Sequence, residues 1–172
     1  MNPNQWLTIV SFLISATLLT VIVGVLIKQS ILPLKPIMAY SEAQLQFLKI
    51  WVNVALLIGV VIPLGLLIKF WNQPIPRQFL SYYLIVVFVQ LASEVIFNRL
   101  LCKSIVIIIG TLYTGFRIWQ LWSGINATTY SQPWLSLLGL VLGFWIANII
   151  MLLTMAFPTI FPENEDQINA DS

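Results

Sequence analysis

The chain has 172 residues, of which 59% are hydrophobic and only 8% charged, with a formal net charge of +2. A water-facing domain carries charge on about a quarter of its residues, so this chain has too little polar surface to cover a soluble body, and lipid is the implied solvent. The mean hydropathy of +0.94 agrees, and the eight dispersed basic residues form no basic face for nucleic acid.

A helix needs about 20 apolar residues to cross the hydrocarbon core at 1.5 Å per residue. Such runs occur at about 6–27, 47–70, 79–98, 104–122 and 134–157, which predicts an all-α integral membrane protein with a compact bundle of five transmembrane helices. The opening MNPNQW lacks the positive charge of a secretory signal and no small-residue cleavage site follows, so the first run reads as a retained helix. Pro33 and Pro36 punctuate the first loop. Ser41-Glu42-Ala43-Gln44 fits a capping box, with the Ser41 hydroxyl and the Gln44 amide satisfying each other's backbone donors, so the second helix should start near Glu42. Pro63, inside that helix, removes a donor and crowds the Gly59 carbonyl, which predicts a kink.

Asn72-Gln73-Pro74-Ile75-Pro76 separates the second and third spans. A continuous helix over 79–122 would be about twice the length a bilayer needs. The polar cluster from Asn98 to Ser104 instead predicts a tight bend and two spans. Ser123 to Pro133 separates the fourth and fifth, and Asn126-Ala127-Thr128 within it is a glycosylation sequon. Pro158 and Pro162 close the fifth. Residues 1–158 are then one helical-bundle domain and 159–172 a short, acidic, mobile tail.

Threading follows from Lys and Arg in short loops. One side holds Lys69 and Arg77. The other holds Lys28, Lys35, Lys49, Arg99 and Lys103, which predicts N-out and C-in. The expected location is a bacterial cytoplasmic or thylakoid-type membrane. Trp6, Trp71, Trp119, Trp122 and Trp134 all fall at the predicted outer ends, where amphipathic rings favour the interface.

Charge within a span costs on the order of 2.5–3.5 kcal/mol at its centre, which singles out Glu94 and Arg117. A hairpin bent near residue 101 offsets them by about 13 Å along the helices. Each is therefore expected to reach water separately. Arg117 should snorkel to the outer headgroups, as Arg99 and Lys103 do at the inner ones. Gln90, Glu94 and Asn98 share one helix face at i, i+4, i+8. With Asn53 and Asn148 at matching depth, the expectation is an inward-facing polar layer of Asn53, Gln90, Glu94 and Asn148. Such a layer either glues helices by hydrogen bonds of about 1 kcal/mol each or receives a proton, an ion or a ligand. Gly110-Thr114, Thr111-Gly115 and Gly139-Gly143 are small-xxx-small pairs that let helices approach.

No histidine and a single cysteine, Cys102, remove His-based acid–base chemistry, Cys-rich zinc sites and an intramolecular disulfide. Cys102 reads as a small apolar packing residue. HExxH, CxxC, P-loop and GxSxG patterns are absent, so an enzyme is not expected, and no cofactor is indicated. Two classes remain: a binding or accessory subunit of a larger membrane complex, with a membrane-protein partner or a second copy, or a small oligomeric transporter or channel built on the Glu94 layer.

Overall fold

The computed structural model describes residues 5–127 and 129–162. The acidic residues 163–172, and Thr128 of the sequon, lie outside the described residues. Five helices, each long and apolar enough to cross a membrane, make up the fold: α1 Gln5–Lys28, α2 Glu42–Lys69, α3 Pro74–Leu100, α4 Ile105–Ala127 and α5 Trp134–Ile160. No strand occurs among the described residues. The start of α1 and the loops after α2 and α4 share the upper end of the bundle. The first loop, the α3–α4 turn and the end of α5 share the lower end.

Local chemistry sets the helix boundaries. Ser41 Oγ accepts from the Gln44 backbone N–H at 3.3 Å while the Ser41 N–H donates to Gln44 Oε1 at 2.9 Å, the reciprocal cap that starts α2. Pro74 occupies the first helical turn of α3, where no intrahelical donor is required. The helix therefore begins earlier than its apolar run. Leu101 closes α3 by donating to the Phe97 carbonyl at 2.9 Å, and α4 starts four residues later. The middle of the chain is thus two helices, as the polar cluster at 98–104 implied. The fifth helix does not stop at 157. A 3-10 turn over Phe157–Ile160 carries it past Pro158.

The two prolines beyond the first turn of a membrane-length helix, Pro63 and Pro158, each follow a π-helical turn. Leu57–Val61 precedes Pro63 in α2, and Leu152–Ala156 precedes Pro158 in α5. A widened turn carries one extra residue and relieves the crowding a proline ring imposes on the preceding turn. The distortion expected at Pro63 takes this form.

The α3–α4 hairpin is the spine. Phe79 lies in the space that a side chain on Gly124 would fill, 2.2 Å from an ideal Cβ there, so glycine fixes this close approach. On one face sits α1, through Phe12 stacked on Phe116 at 3.9 Å and edge-on to Tyr113 at 5.2 Å. On the other sit α5 and the upper half of α2, enclosing Leu66, Leu80, Tyr83, Leu121, Leu138 and Val141. The lower half of α2, Glu42–Leu56, has no fully buried residue. It stands away from the hairpin, and the space it leaves is the candidate site.

Candidate functional site

The site is built around Trp145 of α5. Its indole Nε1 donates to the Tyr83 hydroxyl at 2.7 Å, and that hydroxyl donates to the Gly59 carbonyl at 2.9 Å. Gly59 lies four residues before Pro63, so its carbonyl is the one that loses its usual helical donor; Tyr83 supplies one from a neighbouring helix. Gly59 also has to be glycine for a second reason. A Cβ at this position would lie 2.4 Å from Trp145 Cζ2.

Arg117 of α4 sits over this fixed indole, its guanidinium carbon 4.0 Å from the ring centroid. The residue is only 2% exposed. Its Nε is buried without a partner, and no hydrogen bond joins the guanidinium to the protein among the described residues. A desolvated cation–π contact contributes about 2 kcal/mol, which offsets only part of the cost of burying such a charge. The remaining donors need an acceptor.

Asn148, one turn below Trp145, joins three helices. Its Nδ2 donates to Thr114 Oγ1 of α4 at 3.0 Å, and its Oδ1 accepts from Trp51 Nε1 of α2 at 2.8 Å. Trp51 also stacks on Phe144 with centroids 5.1 Å apart. These contacts tether the otherwise loosely held lower half of α2.

Between these groups lies a cavity of about 290 Å³, lined by residues from α2, α3, α4 and α5. Its walls are mostly apolar. The polar groups are Trp51, Gln90, Glu94, Arg117, Trp145 and Asn148, with Tyr40 at the lower end. Glu94 accepts from Gln90 Nε2, while Gln90 Oε1 is buried without a partner. Tyr40 and Met38 come from the first loop, which closes the lower mouth. The Lys35 N–H donates to the Ile160 carbonyl at 2.7 Å and the Ser104 N–H to the Pro36 carbonyl at 3.3 Å, pinning the loop to both neighbouring segments. Burial there pushes the Tyr40 hydroxyl above the ordinary tyrosine range. The upper side is filled by Tyr83, Trp145 and the core above them. The remaining opening is lateral, between α2 and α3, where the lining residues Val52, Leu56 and Leu91 are 54%, 42% and 36% exposed.

Three expectations are corrected. Arg117 does not reach the surface at the upper end but is buried within the bundle. A helical side chain leans toward its own helix N-terminus, which for α4 is the lower end, and Trp145 holds the guanidinium there. Glu94 on the antiparallel α3 leans upward for the same reason, so the two charges approach each other along one cavity. They interact electrostatically without direct ion-pair contact. Asn53 is exposed and its amide donates to the Lys49 carbonyl of its own helix at 3.0 Å. It takes no part in the layer. Asn98 is also exposed, so the polar face of α3 narrows to Gln90 and Glu94. Gln90 and Asn148 are buried, and Arg99 and Lys103 are exposed at the lower end.

The sequence reading missed Trp51, Tyr83 and Trp145. A signal existed for two of them. Of seven tryptophans, five fall at the outer ends expected from the sequence, and the other two, Trp51 and Trp145, are those that line the cavity. Among the described residues no group of three or more His, Cys, Asp or Glu could hold a metal ion. No protein-family model, curated protein or solved structure matches the chain.

Proposed function

We propose that this chain is a non-catalytic, membrane-embedded binding protein, an accessory component of a larger membrane system, that takes a small and largely apolar molecule from the bilayer into the cavity beside α2. The observation that carries this reading is the buried, unpaired guanidinium of Arg117 facing an otherwise apolar cavity whose opening is lateral. Small-molecule sites have this make-up, apolar walls with a few placed polar groups. In this reading the helices cross the membrane N-out and C-in, with Arg99, Lys103 and Lys28 at the inner headgroups.

The test is native mass spectrometry of the chain released from lipid nanodiscs. The wild-type chain should retain one small-molecule or lipid adduct. Leu56→Trp, a substitution at an exposed position that narrows the opening, should lose it. A wild-type chain that emerges bare, with no partner, lipid or pigment, overturns the reading.

A transport reading has one observation in its favour: Glu94, the sole acidic residue lining the cavity among the described residues, reaches it from α3. It also requires access from the upper side, and there Leu80, Leu121, Leu138 and Val141 are fully buried. Flux in reconstituted vesicles that falls with Glu94→Gln would favour transport over binding.

A further inference from the structure

Resting on the binding reading above, we propose that the site selects an amphiphile with a neutral head that both accepts and donates hydrogen bonds, an alcohol or a primary amide, on an apolar body of at least about ten heavy atoms.

Among the described residues Arg117 and Glu94 are the only charged ones in the cavity lining, and their formal charges sum to zero. They are not paired with each other. The α3–α4 register, fixed where Phe79 meets Gly124, sets Glu94 about eight residues, or ~12 Å, below Arg117 along the helix axis. Opposite leans bring the side-chain ends closer and leave a polar interval between them. The unpartnered Gln90 Oε1 belongs to the same lining, and its amide nitrogen is committed to Glu94. The guanidinium therefore presents donors only, while Glu94 and Gln90 Oε1 present acceptors.

A hydroxyl or a primary amide satisfies both sides at once. A carboxylate would meet Arg117 favourably but bring a second negative charge near Glu94 in a desolvated setting, and an ammonium would do the same with Arg117. A neutral head also leaves no net charge buried in the occupied site. The volume sets the least size of the body: about 290 Å³ holds at least about ten heavy atoms at about 30 Å³ each. A longer chain would extend through the lateral opening past Val52, Leu56 and Leu91.

The experiment compares four probes of one chain length: 1-decanol, decanamide, decanoate and decylamine. Each is added at equal mole fraction to the full chain in neutral-lipid nanodiscs, and binding is read from intrinsic tryptophan emission and thermal stability. The wild-type chain should bind decanol and decanamide at least tenfold more tightly than either charged probe. Glu94→Gln, which leaves the site with net positive charge, should raise decanoate affinity at least tenfold. Arg117→Gln should shift preference toward decylamine, and the wild-type ranking stands as a test even if this variant does not fold. A wild-type preference for decanoate or decylamine, or equal binding of all four, overturns the head-group assignment and leaves the binding reading standing. Failure of every probe to bind the wild-type chain overturns the binding reading and this inference with it.

Discussion

Gly59 and Trp145 occupy the same small volume: an added Cβ on Gly59 would fall 2.4 Å from the indole Cζ2. The indole cannot retreat freely, because its Nε1 is bonded to Tyr83 and its ring carries the Arg117 guanidinium. Gly59→Ala should therefore be destabilising, although alanine favours a helix by about 1 kcal/mol. Overpacking of this kind costs about 1–3 kcal/mol, which for a chain of this size lowers the melting temperature by about 2–4 °C per kcal/mol. A melting temperature equal to or above wild type would show that Trp145 is held less firmly than its contacts imply.

Tyr83→Phe removes one hydroxyl and leaves two groups without a partner, the Trp145 Nε1–H and the Gly59 carbonyl. Leaving buried groups unsatisfied costs about 1–3 kcal/mol. The substitution should lower thermal stability and alter tryptophan emission. Adding Gly59→Ala to it should give less than the sum of the two losses, since both act on one indole. Strict additivity would separate the two contacts.

The contrast between Gly124 and Gly139 tests the hairpin packing. A Cβ on Gly124 would lie 2.2 Å from the Phe79 ring, whereas nothing lies within 4 Å of one on Gly139. Gly124→Ala should cost about 1–3 kcal/mol through overpacking of the α3–α4 interface. Gly139→Ala should be neutral or stabilising by up to about 1 kcal/mol. Equal effects from the two would contradict the packing.

Much of the fold was legible because it depends on local chemistry. Arg99 and Lys103 would be costly in mid-bilayer, so charge alone pointed, from the sequence, to a bend between them. Ser41 and Gln44 cap α2 through contacts three residues apart, and Pro63 marks its irregular turn. The site was less legible because it depends on rotation about the helix axis and on contacts between distant segments. Asn53 and Trp51 are two residues apart, yet Trp51 turns inward to Asn148 while Asn53 bonds to its own helix. Depth along the helix did not decide between them. Arg117 was placed too near the upper end, because α4 runs on to Ala127 rather than 122, and wrongly in direction. The lean of its side chain was readable from helix polarity, but the tryptophan 28 positions later that receives it was not.

Asn148 should control the mobility of one helix half. It accepts from Trp51 and donates to Thr114, linking α2 to α4 through α5, and bonds of this type contribute about 1 kcal/mol each among membrane helices. The α2 segment below the π turn has no fully buried residue to hold it otherwise. Asn148→Leu should raise amide hydrogen exchange across Glu42–Leu56 and leave Ile62–Lys69, which buries Pro63 and Leu66, near its wild-type rate. Uniform exchange changes along α2 would mean that the lower half is not an independent unit.

The threading makes a separate prediction about sidedness. Asn72 in the loop after α2 and Lys103 in the α3–α4 turn are both exposed and lie at opposite ends of the bundle. With Cys102→Ser as background, Asn72→Cys should react with a membrane-impermeant maleimide from the outside of intact cells. Lys103→Cys should react only after the membrane is opened. This direction is the one proposed above, from the excess of Lys and Arg at the lower end and the positive-inside bias. Labelling of both positions from one side would mean that α3 does not cross the bilayer, and the reverse pattern would invert the orientation while keeping the five spans.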